Sequence, residues 1–184
     1  MANHAGPIGI KRYDAVAMAL HWLTAAIIAV AFVLGLTIDD FPKELKSAMI
    51  NAHALLGLAV LVLALARLLW RRAYPAPDLP AAYPPLGRTF ARLGHAGLYL
   101  LMIVVPLIGI PTLLWRGRGF DFGLFQIASP FARTPEIYRP LTEAHEIASY
   151  ALIVLAIGHV LAALYHQTIR KDDILSRMLP PRAR

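Results

Sequence analysis

Charged residues divide this chain into four long apolar blocks. Runs of 19 to 24 residues without Asp, Glu, Lys or Arg occupy Ala15–Ile38, Ala48–Ala66, Leu93–Trp115 and Ile147–Ile169. Each is long enough to cross a hydrocarbon core of roughly 30 Å as an α-helix. The pattern predicts an all-α fold, an integral membrane four-helix bundle with helices at about 14–38, 47–70, 90–115 and 142–169, forming a single domain over residues 1–184. Lys11 and Arg12 before the first run resemble the start of a signal peptide. The run is longer than an h-region of about 7–15 residues, so it reads as an uncleaved first helix. Between helices two and three, the Pro-rich stretch Tyr74–Pro85 predicts an extended, semi-rigid connector. Between helices three and four, Arg116–Pro140 contains Gly117, Gly119, Phe120, Phe122 and Phe125, a mixture suited to a lid at the membrane interface. No internal repeat or low-complexity tract is evident.

Composition strengthens the membrane reading. The 184 residues are 58% hydrophobic and 16% charged, with a mean hydropathy of +0.58, more apolar surface than one soluble domain of this length can bury. The N-terminus, the segment Arg67–Arg92 and the C-terminal tail together carry twelve of the eighteen Lys and Arg and four of the eleven acids, a net +8 against −1 for the other two loops. The positive-inside rule then places both termini in the cytoplasm. The basic residues are spread over helix ends, which accounts for the high isoelectric point without a nucleic-acid partner. Cysteine is absent, which excludes disulfides, iron–sulfur clusters, thiolate-bound zinc and covalent C-x-x-C-H haem attachment.

Histidines supply the candidate chemistry. His145 and His159 are 14 residues apart on the fourth predicted helix, so they share a face, about 40° apart in azimuth and roughly 21 Å apart along the axis. With the helices alternating in direction, His21 matches the depth of His159 near the cytoplasmic side, and His53 matches His145 near the outer side. Two imidazoles at equal depth on different helices suit the axial positions of a planar six-coordinate haem b. Gly57, Gly158, Ala52, Ala54 and Ala144 leave room beside the rings. A zinc-protease pattern fails, because His145-Glu146 is followed at the third place by Ser149 rather than His. Ionisable side chains at membrane depth are costly and point to function.

Other residues fit around such cofactors. Arg67, 14 residues after His53, is the candidate partner for the propionates of an inner haem, or a snorkelling arginine at a helix end. Lys43 and Lys46 are candidates at the outer haem, or interface anchors. His95, at the predicted start of helix three, and His166, at the end of helix four, fall at the cytoplasmic boundary, where an imidazole can hydrogen-bond a quinone carbonyl and relay protons. His4 lies in the N-terminal tail and takes no role.

The segments YDAVAMALHWLTA around His21, NAHALLGLAVLVLALARLLWR from Asn51, RLGHAGLYLLMIVVPLIG from Arg92, and EAHEIASYALIVLAIGHVLAALYHQTIRKDDILSRMLP from Glu143 resemble the prokaryotic cytochrome b561 family over nearly the whole chain. The resemblance implies two non-covalent haems b in the bacterial inner membrane, with His21 and His159 as ligands of the inner one and His53 and His145 of the outer. One branch of that family acts as superoxide oxidase, passing electrons from periplasmic superoxide to ubiquinone. On that reading Arg116, in the run Trp115–Gly119 with Arg118, joins Lys43 and Lys46 as a candidate cationic approach for superoxide. An alternative is a haem-b subunit that links quinone to a separate periplasmic redox protein. A third, from another class, is a transporter whose histidines bind metal ions or protons.

Overall fold

The computed structural model describes residues 12–77, 85–172 and 174–180. Four long helices run up and down: α1 (Ala15–Thr37), α2 (Lys43–Ala73), α3 (Pro85–Trp115) and α4 (Pro135–Tyr165). All four are long and apolar enough to cross a membrane. Sequential neighbours pack against one another, α1 on α2, α2 on α3 and α3 on α4. Across the remaining side α1 meets α4 through ring contacts, His21 with His159 and Phe32 with Tyr150. The central apolar contacts involve Val60 and Ala64 of α2, Met102 of α3 and Leu152 of α4, with Ile27 and Ile28 of α1 against them. Outward-facing residues such as Leu69, Val154 and Leu161 are well exposed, as expected where lipid replaces protein as the apolar surrounding.

Three helices begin earlier than the apolar runs indicate: α2 at Lys43 rather than about 47, α3 at Pro85 rather than about 90, and α4 at Pro135 rather than about 142. The extra turns carry Lys46, Arg88, Glu136 and Arg139, charges that end a hydropathy signal but not a helix. Proline supplies the starts. Pro42 is the N-cap of α2, Pro85 opens α3 and Pro135 opens α4, positions where a fixed φ and a missing N–H cost nothing. Residues 78–84 of the Pro-rich connector, Lys11 and His4 lie outside the described residues.

The segment between α3 and α4 forms a short antiparallel hairpin, β1 (Phe120–Asp121) and β2 (Gln126–Ile127). Asn51 of α2 fastens it: its amide donates to the Asp121 carbonyl at 2.8 Å, and its side-chain oxygen accepts the Asp121 N–H at 2.9 Å. Arg118 adds a bond to Ser47 at 3.0 Å, and Trp115 stacks on Phe131 with ring centres 4.1 Å apart. The hairpin is therefore docked on the bundle end, as the expectation of a lid implies.

Both described chain ends lie at the opposite end of the bundle. The Tyr13 N–H bonds the Arg177 carbonyl at 3.1 Å, and Trp22 Nε1 donates to the Met178 carbonyl at 2.8 Å. Asp14 caps α1 there, accepting the Ala17 N–H at 2.9 Å and the Trp70 indole N–H at 3.0 Å. The Ala17 N–H, foremost, holds the Asp14 carboxyl below the usual carboxylate range. A lowered folded-state pKa contributes stability above the unfolded carboxylate range and loses it as pH falls through the folded pKa. Asp14→Ala is expected to cost about 1 kcal/mol and lower the melting temperature in detergent by roughly 2–4 °C at neutral pH. The difference from wild type should narrow below about pH 4, which a pH series of melting curves checks.

Candidate metal centres

Histidines meet in two places along the bundle. Near the hairpin end, His53 of α2 and His145 of α4 face each other with ring centres 5.9 Å apart. Toward the termini, His21 of α1 and His159 of α4 lie 6.2 Å apart. Two imidazoles gripping one metal ion from opposite sides, each nitrogen about 2 Å from it, have ring centres about 6 Å apart. Among the described residues no three His, Asp, Glu or Cys side chains gather as an ion-chelating cluster. Paired donors in apolar surroundings are the donor set of a planar metal cofactor with two axial nitrogens.

The pair near the hairpin is held by a device used twice. His53 Nδ1 is 2.9 Å from the Ala31 carbonyl of α1, and His145 Nδ1 is 3.0 Å from the Val105 carbonyl of α3. A carbonyl only accepts, so both rings carry their proton on Nδ1 and leave the Nε2 lone pair for a metal. Four residues after each carbonyl stands a glycine. A Cβ on Gly35 would stand 3.0 Å from the His53 ring, and one on Gly109 would stand 2.9 Å from the His145 ring. Helical side chains lean toward the N-terminus and cover the preceding turn, so only glycine there uncovers the carbonyl to an incoming ring. The chain has no repeated sequence, yet its two halves repeat this arrangement.

The pair toward the termini is built differently. Arg67 of α2 lies 3.1 Å from His21 Nδ1 and 5.3 Å from the centre of the Tyr99 ring. A guanidinium only donates, so His21 holds its proton on Nε2 in this arrangement. Binding a metal through Nε2 requires that proton to move to Nδ1 and Arg67 to turn away, which frees a cation for an anionic group. His95 departs from the sequence expectation. It lies ten residues inside α3 rather than at the helix start, and its ring centre is 5.4 Å from that of His159. The early start at Pro85 is the reason.

At the hairpin end, arginines surround Tyr138. Arg116 lies over its ring, 5.1 Å from the centre, and donates to Thr142 at 3.0 Å. Arg133 bonds the Tyr138 hydroxyl at 3.0 Å. Arg116, Arg118 and Arg133 line a cleft of ≈ 430 Å³ with Tyr138 and Ile50. A second cleft of ≈ 380 Å³ borders Arg116, Thr142, Glu143 and Glu146. Neither cleft is lined by Lys43 or Lys46, and Lys46 is paired with Asp39 at 3.1 Å.

The model of the family described as prokaryotic cytochrome b561 matches residues 12–181, nearly the whole chain. The chain belongs to the prokaryotic cytochrome b561 family. Among curated relatives it is 32% identical over 177 residues to the "Probable superoxide oxidase CybB" of Yersinia pestis, covering 92% of this chain and 97% of the relative. It is 31% identical over 173 residues to "Cytochrome b561 homolog 2" of Escherichia coli (strain K12), covering 92% of each. To "Cytochrome b562" of Cereibacter sphaeroides it is 30% identical over 176 residues, covering 92% of this chain and 96% of the relative. Membership makes this an electron-transfer membrane protein and implies haem b.

Several residues of this cytochrome b561 family member escape a reading of its sequence. Gly35 and Gly109 leave no mark in hydropathy. A glycine on the same helical face as a backbone acceptor is the available signal, and it appears only once the partner helix is known. The expected room beside Gly57 and Gly158 is present, since nothing lies within 4 Å of where a Cβ would stand on either. Tyr99, Tyr138 and Asn51 each act through a residue distant in sequence, which local patterning cannot register.

Proposed function

We propose that this protein is a superoxide:ubiquinone oxidoreductase of the bacterial inner membrane, holding two haems b. His53 and His145 would hold the outer haem, and His21 and His159 the inner one. The observation that carries the reading is the pair of histidine couples at two depths, 5.9 and 6.2 Å between ring centres. Haem b, held by these histidine pairs, would supply a one-electron carrier. A relative that carries the name superoxide oxidase supports the choice of donor.

The chain's own residues set the two ends of the path. At the hairpin end, Arg116 and its neighbours Arg118 and Arg133 attract an anion to the cleft beside Tyr138, which raises the encounter rate of superoxide. Arg116 is better placed for this than Lys46, whose charge is matched by Asp39. Two superoxide anions give two electrons and leave as two dioxygen molecules. At the other end, one ubiquinone takes two electrons and two protons to become ubiquinol, with His166 and His95 as the imidazoles that orient it and hand over protons. Arg67, turned from His21, would hold the inner propionates. The positive charge around the termini supports a cytoplasmic position for that end and a periplasmic one for the hairpin.

Purified protein should show two low-spin haems b that superoxide reduces and a soluble ubiquinone reoxidises. Arg116→Gln should slow the superoxide step about tenfold at low ionic strength, with the difference shrinking as salt rises. Haems inert to superoxide but reactive with quinone would instead support the subunit that docks a periplasmic redox partner, and the exposed Leu124 and Phe125 of the hairpin would be its contact. Protein without haem from haem-replete cells would overturn both.

A further inference from the structure

Three arginines at the hairpin end are gathered by the backbone rather than by carboxylates. Gly117 takes a left-handed φ of 74°, and a Cβ there would stand 3.4 Å from the Arg133 nitrogen. The Thr134 N–H bonds the Trp115 carbonyl at 3.0 Å. The two arms of the segment between α3 and α4 are thereby held close, and Arg116, Arg118 and Arg133 line one cleft. Tyr138, only 8% exposed, spreads two of them. Arg116 lies over its ring, 5.1 Å from the centre, and Arg133 donates to its hydroxyl at 3.0 Å. Arg118 is anchored on Ser47, also at 3.0 Å.

Among the described residues none of the three arginines is in an ion pair. Their side-chain hydrogen bonds go to the neutral oxygens of Thr142, Ser47 and Tyr138, although each guanidinium carries five N–H donors. The Arg116 Nε–H is buried and has no partner among the described residues. The Tyr138 oxygen accepts from Arg133, which leaves its own O–H to donate. Glu143 and Glu146 border the other cleft and do not line this one. Converging donors without a facing acceptor are the donor set of an oxyanion.

We infer that this cleft is a phosphate-binding site, organised by Tyr138, whose occupant competes with superoxide. The binding stands on the donor set alone, and the competition rests on the superoxide reading of the preceding section. The cleft holds ≈ 430 Å³, whereas a diatomic anion needs little more than the ~30 Å³ of one water molecule. A phosphoryl group offers several oxygens at once, and arginine forks match them bidentately. Ile50 gives the cleft an apolar wall against which the carbon of a phosphate ester can lie. Trp115 and Phe131 stack at this end of the bundle, as aromatic residues do at the headgroup depth of a bilayer. Phosphate reaches such a position free in solution or on the headgroup of an anionic lipid. From either source it neutralises the charge that attracts superoxide.

The test uses full-length, haem-loaded protein in nanodiscs of zwitterionic phosphatidylcholine, with inorganic phosphate as the probe and chloride holding the ionic strength constant. Calorimetric titration should show saturable binding of phosphate that chloride does not reproduce. Arg133→Gln and Tyr138→Phe should each weaken it about tenfold. Arg118→Gln should act likewise and serves where Tyr138→Phe loads haem poorly. Arg72→Gln, at the opposite end of α2, should leave binding unchanged. Phosphate should slow reduction of the haems at low superoxide concentration and leave the saturating rate as it was. Discs containing phosphatidic acid separate the sources: loss of phosphate binding in them assigns the site to a lipid headgroup, and retained binding assigns it to free phosphate. No saturable binding in phosphatidylcholine discs overturns the inference, as does binding that all three variants leave within twofold of wild type. If phosphate binds and superoxide reduction ignores it, the phosphate site stands and the competition is wrong. If superoxide does not reduce wild-type haems at all, the superoxide reading fails, and the titration still decides the phosphate site.

Discussion

His145→Ala should produce a protein with one haem b in place of two, and His53→Ala should do the same. In either variant the proposed haem site near the hairpin loses one of its two nitrogen donors, and nothing nearby replaces the lost ligand. The Ala31 and Val105 carbonyls that hold these rings at 2.9 and 3.0 Å are backbone groups fixed in their own helices, and oxygen is a poor substitute for imidazole on haem iron. The inner site is roughly 20 Å away along α4, separated by nearly four helical turns, so its content should change little. His21→Ala and His159→Ala should give the reverse pattern. His95→Ala should retain both haems although its ring is closer to His159 than His21 is, 5.4 against 6.2 Å. Haem quantitation with reduced-minus-oxidised spectra on the five variants decides the ligand map. Two haems in all four ligand variants would refute it, and loss of the inner haem from His95→Ala would assign His95 in place of His21.

Gly109→Val is expected to have nearly as large an effect without touching a ligand. Its Cβ would stand 2.9 Å from the His145 ring, and the two added methyls extend further into the ring's place. The imidazole has two side-chain torsions with which to escape, and using them breaks its bond to the Val105 carbonyl and turns Nε2 away from His53. The outer haem should fall to less than about a quarter occupancy, with the inner haem retained. Overpacking of this kind commonly costs about 1–3 kcal/mol in folded stability as well. Gly35→Val should act likewise on His53, where the corresponding approach is 3.0 Å. Gly94→Ala serves as the control, because nothing lies within 4 Å of its added Cβ. The same haem assay checks all three, and normal outer-haem content in Gly109→Val would show that the ring is free to move.

Both expectations depend on residues whose visibility in the sequence differs. The histidines stand out because an ionisable group in an apolar run has few ordinary reasons to be there. Their depths follow from counting residues along helices of fixed rise, which is why His21 with His159 and His53 with His145 are brought together as the spacing predicts. His95 was misplaced by a helix start. The charges Arg88 and Arg92 end the apolar run, but α3 continues to Pro85, so His95 moves from the rim to the side of His159. Gly35 and Gly109 matter through an azimuth and a neighbour, neither of which a hydropathy pattern contains.

What the sequence determined by itself is the number of long apolar helices, the all-α class and the matching depths of His21 with His159 and of His53 with His145. These are one-dimensional properties: burial of an apolar segment in lipid sums over consecutive residues, and the α-helical rise is constant. The tertiary structure decided which helices neighbour one another, that Ala31 and Val105 hold the outer rings, that Asn51 fastens the hairpin, and that Asp172 folds back onto His166. Those outcomes depend on the rotation of each helix about its axis. In a bilayer the lipid and the neighbouring helices are equally apolar, so composition distinguishes no inward face, and packing together with a few hydrogen bonds makes the choice.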